Sequence, residues 1–302
     1  MRITELFKSG RPFPSLEIVP PLGGITKDQL LESITPLMEF RPRYINVTTH
    51  RDEFRFVPQG DGSFRKVIVQ SRVSPVAVCA SIQSRFDVEV VPHLICAGHS
   101  AHDIRRQLQD FQFMGIENVM ALRGDSLTEE KRFTPQPDGY AHAEELVAAV
   151  HSFESFCVGV GGYPEKHAEA ANLETDIAFL KQKVDAGADY VITQMFFDNA
   201  VFFRFVERCR AAGITVPVIP GLKPLTTLRQ LELLPQSFSI DIPIALSREI
   251  QRAEGDPEAI RRIGVDWCIR QCRGLLEAGV PAVHFYTMGK SRNVAEVLRS
   301  CF

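Results

Sequence analysis

The residues of this chain that could do chemistry stand out because they interrupt apolar segments. Glu17 lies in the middle of Ser15–Val19, where an ionised carboxylate is costly unless it is paired, protonated or used. Asp125 closes the segment 118–125, which is apolar up to Leu122 and then polar. Two such carboxylates suit general acid catalysis and charge stabilisation around an organic cofactor. A structural salt bridge for Glu17 and a solvated turn for Asp125 are the alternatives that these residues leave open.

Other polar residues also lie at or near the ends of apolar segments. They are Thr48, His93, Arg123, Gln194 and Thr287, with Gly221 at an equivalent position. A single histidine in a segment such as Val88–Ile95 is more often a packed core residue than a ligand contact. The whole set is harder to explain by core packing, because an unspecialised fold would end its strands in assorted turn residues.

Familiar catalytic and metal-binding motifs are missing from the sequence. The closest approach to a dinucleotide-binding glycine motif, Gly159–Tyr163, has the wrong spacing. The sequence contains no Walker A motif, no Gly-x-Ser-x-Gly elbow and no His-Glu-x-x-His. His167 and Glu169 are metal-ligand types, but a polar loop after Pro164 is the favoured interpretation. The seven cysteines form no Cys-x-x-Cys pair, so we predict reduced thiols and neither a metal site nor a disulfide.

The elements that must position these residues follow a repeating pattern. Four predicted helices, 100–114, 173–186, 199–212 and 257–278, each end at a glycine and are followed by an apolar strand. Predicted strands begin near residues 15, 44, 88, 118, 157, 190, 217 and 282. Eight strands alternating with helices predict an α/β fold, a (β/α)8 TIM barrel. Such a barrel gathers the carboxyl ends of its strands on one face, where active sites of this fold lie.

Composition limits the classes of function. With 45% hydrophobic residues, 24% charged residues and a net charge of −3, the chain has no electrostatic basis for binding nucleic acid or an anionic membrane. No apolar run approaches the ~18 residues of a membrane span, and residues 1–14 do not resemble a signal peptide. We therefore expect a cytoplasmic protein that acts on small molecules.

Eight short motifs, taken together and in order, resemble the methylenetetrahydrofolate reductase family. They lie between residues 12 and 290 and therefore cover nearly the whole chain. The motifs are Pro14–Pro21, Ile45–Thr48, Pro92–Leu94, Ala121–Asp125, Tyr163–His167, Ile192–Asp198, Pro220–Pro224 and His284–Thr287. The resemblance is to the bacterial form and implies a single catalytic barrel over residues 1–302, with no C-terminal regulatory domain.

The resemblance implies FAD at the carboxyl face of the barrel, reduced by NADH or NADPH in a ping-pong scheme. Reduction of 5,10-methylenetetrahydrofolate would give 5-methyltetrahydrofolate for methionine synthesis. Glu17 matches the general acid of the family and Asp125 a carboxylate beside the flavin. Further positions match flavin contacts (Thr48, His93, Arg123, Gly124, Tyr140, Tyr163, His167, Asp176 and Lys183) and folate contacts (Gln194, Gln230 and Lys290).

Several positions depart from the family pattern. Thr49-His50 follows Thr48 where many relatives carry tyrosine, Phe179 replaces an asparagine or histidine, and Leu234 replaces a phenylalanine. Gly289-Lys290 stands where Asn-Arg is usual, which removes a bidentate donor. These departures leave the choice between NADH and NADPH open.

Three other functions are alternatives to a flavin-dependent reductase. They are a flavin-free barrel enzyme, a barrel lyase, and a folate- or flavin-binding subunit of a larger complex. We expect a homo-oligomer.

Overall fold

A closed barrel of eight parallel strands forms the centre of the protein in a computed structural model, which describes residues 1–125, 133–289 and 291–302. The barrel strands are β1 (Phe13–Ile18), β2 (Tyr44–Val47), β5 (Glu89–Ile95), β6 (Asn118–Leu122), β7 (Cys157–Gly162), β8 (Tyr190–Met195), β9 (Val218–Leu222) and β10 (Ala282–Tyr286). Neighbours around the barrel follow the order β1-β10-β9-β8-β7-β6-β5-β2. The predicted TIM barrel is confirmed, with strand boundaries within about two residues of those expected.

Helices connect these strands and cover the outside of the barrel. They are α1 (Ile3–Leu6), α2 (Lys27–Met38), α3 (Pro75–Gln83), α4 (Ala101–Phe113), α5 (Ala143–His151), α6 (Leu173–Asp185), α7 (Asn199–Ala211), α8 (Gln230–Phe238), α9 (Ile244–Arg252), α10 (Pro257–Glu277) and α11 (Ser291–Cys301). Helix α2 begins with a threonine cap, since the Thr26 hydroxyl accepts from the Gln29 N–H at 3.3 Å. The predicted glycine terminators have left-handed backbone, with φ of +72° at Gly115 and +116° at Gly187. Among the described helices, none is long and apolar enough to cross a membrane.

The barrel strands present alternate side chains to two separate hydrophobic cores. On β1, Leu16 and Ile18 point outward into the main core between strands and helices. Ser15 and Glu17 point inward, as the period of two in a strand predicts. The barrel interior is packed with Phe13, Tyr44, Tyr190 and other apolar residues, and α1 contributes Ile3 and Leu6 to it. The interior is therefore a filled core below the carboxyl face.

A hairpin outside the barrel follows β2. It consists of β3 (Glu53–Pro58) and β4 (Phe64–Gln70), which pair antiparallel around a turn near Gly60–Gly62. These two strands are not among those predicted from the sequence. Phe56 and Phe64 are exposed to 58% and 65%, so these strands lack the buried face that makes a strand recognisable.

Candidate active site

Glu17 lies near the carboxyl end of β1, beside two histidines from other strands. Its Oε2 is 3.8 Å from Nε2 of His93 on β5 and 4.0 Å from Nε2 of His284 on β10. Among the described residues, these imidazoles are the ion-pair partners recorded within 4.0 Å of the carboxyl. The side chain is 14% exposed. Among the described residues, the recorded ion-pair partners of Glu17 are thus histidines and not a lysine or arginine of a neighbouring strand.

Burial controls the protonation of this cluster. It raises the pKa of Glu17 to about 8 and lowers the pKa of both His93 and His284 to about 3, because a low-dielectric site disfavours every charged form. A smaller repulsion from His50 acts on His93, and His93 acts in the same way on His284. Near pH 7 the site therefore holds a protonated carboxyl between two neutral imidazoles. This arrangement can donate a proton.

A second cluster lies at the ends of β6 and β7. Arg123 makes a bidentate ion pair with Glu169, at 2.6 and 2.8 Å, and its guanidinium lies 5.0 Å from the Phe133 ring centre. Asp125 is exposed just after Arg123. Between them, Gly124 has a φ of +83°, and a Cβ on it would approach Cβ of Ala97 to 2.9 Å. Glycine is therefore needed for the tight turn that brings Arg123 and Asp125 to the carboxyl face.

The loop after β7 and helix α6 complete this second cluster. The Tyr163 and His167 rings meet edge to face, with centres 4.8 Å apart. Asp176, buried on α6, accepts the His167 backbone N–H at 3.0 Å. Lys183, two turns further along α6, donates to the Gly161 carbonyl at 2.6 Å. Burial lowers the pKa of Lys183 to about 8, opposed by Asp176. Four of the residues matched to flavin contacts thus lie together.

A cavity of about 370 Å³ lies at the carboxyl ends of β9 and β10. Its lining includes Lys223, Gln230, Leu234, Tyr286 and Thr287. The Thr287 hydroxyl donates to the Glu17 carbonyl at 2.7 Å, which ties the cavity wall to the strand of the acid. Its mixed apolar and polar lining suits an organic ligand.

The remaining predicted site residues are placed as follows. Thr48 follows β2 and its hydroxyl lies 2.9 Å from Nε2 of His50. Gln194 on β8 is half-buried, and its side-chain oxygen accepts the Met195 N–H. Tyr140 packs against the main core, and Phe179 is 49% exposed on α6. Lys290 lies outside the described residues. The roles assigned to these residues stay predictions.

Sequence reasoning assigned no part in the site to three residues that the structure places beside its predicted members, namely Ser15, His284 and Glu169. Ser15 and His284 come together because β1 pairs with β10, with Ser15 opposite His284 and Glu17 opposite Tyr286. The alternation of His284 and Tyr286 along the last strand is the same signal that marked Glu17, and it could have been used. Glu169 was considered only as a metal ligand, whereas the structure pairs it with Arg123.

These features define a (β/α)8-barrel protein with a buried carboxyl group between two histidines at the carboxyl ends of its strands. The sequence model of the family "Methylenetetrahydrofolate reductase" matches residues 2–301. The chain therefore belongs to the methylenetetrahydrofolate reductase family.

Individual relatives agree with this assignment. A Pectobacterium carotovorum protein named 5,10-methylenetetrahydrofolate reductase is 31% identical over 93% of this chain and 87% of its own length. Methylenetetrahydrofolate reductase 2 of Saccharomyces cerevisiae is 33% identical, over 95% of this chain and 47% of its own length. A Caenorhabditis elegans relative is 29% identical and matched over 43% of its length. The chain thus spans about half the length of these two eukaryotic relatives.

A solved structure supports the fold. A Clostridium thermocellum protein, described as binding two copies of 5-methyl-5,6,7,8-tetrahydrofolic acid, superposes with a TM-score of 0.63 at 12% identity. The match covers 100% of this chain and 98% of that one. At this identity the likeness concerns the barrel alone.

Proposed function

We propose that this protein reduces 5,10-methylenetetrahydrofolate to 5-methyltetrahydrofolate, with NADH or NADPH as electron donor and FAD as cofactor. The observation that carries the proposal is the largely buried Glu17 carboxyl, which lies between His93 and His284 at the carboxyl face of the barrel in a chain of this family. The 5-methyltetrahydrofolate product would supply methyl groups for methionine synthesis.

Glu17 would act as the general acid. Its proton passes to a nitrogen of the folate five-membered ring as the bond from that nitrogen to the methylene carbon breaks. The electron pair of that bond stays on the nitrogen, and the methylene carbon becomes part of an iminium cation that accepts hydride. A carboxyl with a pKa of about 8 is protonated at neutral pH and still acidic enough to give up its proton, which is the balance that general acid catalysis requires.

The residues around β2, β6 and β7 fit a flavin dinucleotide. The hydroxyls of Thr48 and Tyr163 and the imidazole of His167 can hydrogen-bond a polar ring system. The cations of Arg123 and Lys183 match a diphosphate in charge. When bound, FAD would supply hydride transfer between the nicotinamide and the folate. The exposed carboxylate of Asp125 would stabilise positive charge that develops on the folate.

A visible spectrum of the purified protein tests the proposal first. A flavin spectrum that bleaches with NADH or NADPH under anaerobic conditions, and recovers with methylenetetrahydrofolate, would support cofactor, donor and acceptor together. A colourless protein that FAD cannot reconstitute would favour a flavin-free enzyme. Tight folate or flavin binding without turnover would favour a binding subunit.

The raised pKa of Glu17 predicts that the two half-reactions differ in their dependence on pH. The acid form is present below pH 8 and is lost as the pH rises through about 8. Reoxidation of the reduced protein by methylenetetrahydrofolate should therefore be level below pH 8 and fall about tenfold per pH unit above it. Reduction by NADH should lack this limb. Stopped-flow rates between pH 6 and 10 measure both, and loss of folate reduction on the acid side would mean that Glu17 works ionised.

The ion pair of Arg123 with Glu169 predicts an effect on cofactor affinity. Glu169→Gln removes a negative charge and frees the guanidinium for the diphosphate, so FAD should bind about two- to fivefold more tightly, as expected for a partly exposed pair. Flavin fluorescence quenching measures the affinity. Glu174→Gln is the matched control, because Glu174 pairs with Arg208 in another exposed ion pair. Weaker FAD binding by Glu169→Gln would show that Glu169 itself holds the cofactor.

A further inference from the structure

His284 lies inside the barrel with its ring held from three sides. Nδ1 is 3.0 Å from the Ser15 hydroxyl on β1. The Tyr44 ring stacks against it, with centres 6.4 Å apart and an interplanar angle of 15°. Tyr286 meets it edge-on at 5.1 Å and is itself anchored by donating to the Thr193 carbonyl at 2.7 Å. The ring therefore has one defined orientation, and that orientation aims Nε2 at Glu17.

The hydrogen bond with Ser15 decides which nitrogen of the neutral imidazole carries the proton. Ser15 is fully buried, its hydroxyl lies 3.0 Å from Nδ1 of His284, and Tyr44 is a second side-chain neighbour of that hydroxyl. When Ser15 donates to Nδ1, the imidazole carries its hydrogen on Nε2. Nε2 is buried and has no hydrogen-bond partner among the described atoms. The nearest carboxyl oxygen is Oε2 of Glu17, 4.0 Å away.

We propose that His284 is a positioning residue for the acid, whose Nε2–H turns toward Glu17 and stabilises the carboxylate left after proton donation. This inference rests on the proposed function of Glu17. The 4.0 Å separation is too long for a hydrogen bond, and a shift of about 1 Å in the Glu17 side chain brings it into range. His284 keeps its own proton throughout, since the proton that reaches the folate comes from Glu17.

A neutral imidazole suits this task better than a cation would. A lysine or a protonated histidine at this distance would ionise Glu17 before substrate arrives. The titratable groups recorded around the carboxyl are His93 from β5 and His284 and Tyr286 from β10. Nε2 of His93 lies 3.8 Å from the same oxygen, and this nitrogen too has no hydrogen-bond partner among the described atoms. The Ser15–His284 pair is therefore the part of the cluster that is oriented in advance.

Substitutions at His284 test the proposal kinetically. His284→Gln keeps an N–H near the position of Nε2 and should leave folate reduction within about threefold of the native rate. His284→Phe combined with Ser15→Ala keeps the volume, leaves no orphan hydroxyl and removes the donor. Because hydrogen bonds to charged groups are the stronger ones, folate reduction should slow about ten- to a hundredfold. The pH above which its rate falls should rise by about one unit. Reduction by NADH should be unchanged. A native rate and limb in the double variant, or equal damage in His284→Gln, would overturn the proposal.

Two further measurements need no turnover. In ¹⁵N-histidine NMR spectra of the native protein, the resonance lost in His284→Gln should be that of an Nε2–H tautomer, and an Nδ1–H tautomer would refute the proposal.

Infrared difference spectra between the native protein and Glu17→Gln follow the band of the protonated carboxyl group as the pH is changed. The pH at the midpoint of this titration should rise in the double variant. If the midpoint rises in the double variant but the native protein does not reduce methylenetetrahydrofolate, the proposed function fails and the Glu17–His284 pairing stands. If it reduces folate and the midpoint does not move, the pairing fails alone.

Discussion

Replacement of Glu17 by glutamine should slow folate reduction by about 10²- to 10⁴-fold, the range that a positioned general acid contributes. Glutamine matches the protonated carboxyl in size and lack of charge, but it cannot give up a proton. FAD binding and NADH oxidation should be retained, because neither requires this proton. Anaerobic stopped-flow measurement of each half-reaction separates the two effects.

The same substitution should change stability in a pH-dependent way. An acid whose folded pKa lies near 8 and whose unfolded pKa lies near 4.5 favours the unfolded chain increasingly as the pH rises between those values. Below pH 4.5 this penalty is absent, and it reaches its full size by about pH 8. Glu17→Gln should therefore unfold at higher urea concentration than the native protein at pH 8 and at a similar concentration at pH 4.

A surface substitution provides the control for Glu17→Gln. Glu32 is exposed on α2, so Glu32→Gln should change neither the folate half-reaction nor the pH dependence of unfolding. If Glu17→Gln turned over methylenetetrahydrofolate at the native rate, the acid would have to be another group. If it lost both half-reactions together, the role of Glu17 would be structural.

The barrel was predictable because its signals are local. Each helix that ends at a glycine and each apolar segment that follows can be recognised within about 15 residues of sequence. Glu17 was recognisable for the same reason, since an acid in an apolar strand is anomalous on its own. The hairpin β3–β4 was not predictable, because two of its phenylalanines, Phe56 and Phe64, are exposed and carry no burial signal.

The partners of Glu17 could not be found locally. Ser15 and His284 are 269 residues apart in sequence and become neighbours only when β10 closes the barrel against β1. The ion pair of Arg123 with Glu169 likewise joins the loops that follow two different strands, β6 and β7. Sequence patterns place each residue on a face of the barrel, and only strand register decides which residues on that face meet.

Gly264 shows how closely the outer helices approach the loops of the carboxyl face. This glycine is buried in the middle of α10, where glycine ordinarily weakens a helix by about 1 kcal/mol relative to alanine. A Cβ at this position would lie 1.5 Å from the backbone oxygen of Leu225 and 2.5 Å from its carbonyl carbon. Leu225 belongs to the loop after β9, whose residues Lys223 and Thr226 line the cavity beside Glu17.

Gly264→Ala should therefore lower the free energy of unfolding by about 3 kcal/mol or more, since a clash with backbone cannot be relieved by a side-chain rotation. Urea unfolding followed by circular dichroism measures the loss. Gly274→Ala in the same helix is the matched control, because its Cβ would meet only the Asn199 side-chain nitrogen at 3.0 Å, and it should stay within about 1 kcal/mol of native. If Gly264→Ala unfolded like the native protein, the loop after β9 would have to give way to the added Cβ without cost, and contact with α10 could not be what fixes this wall of the cavity.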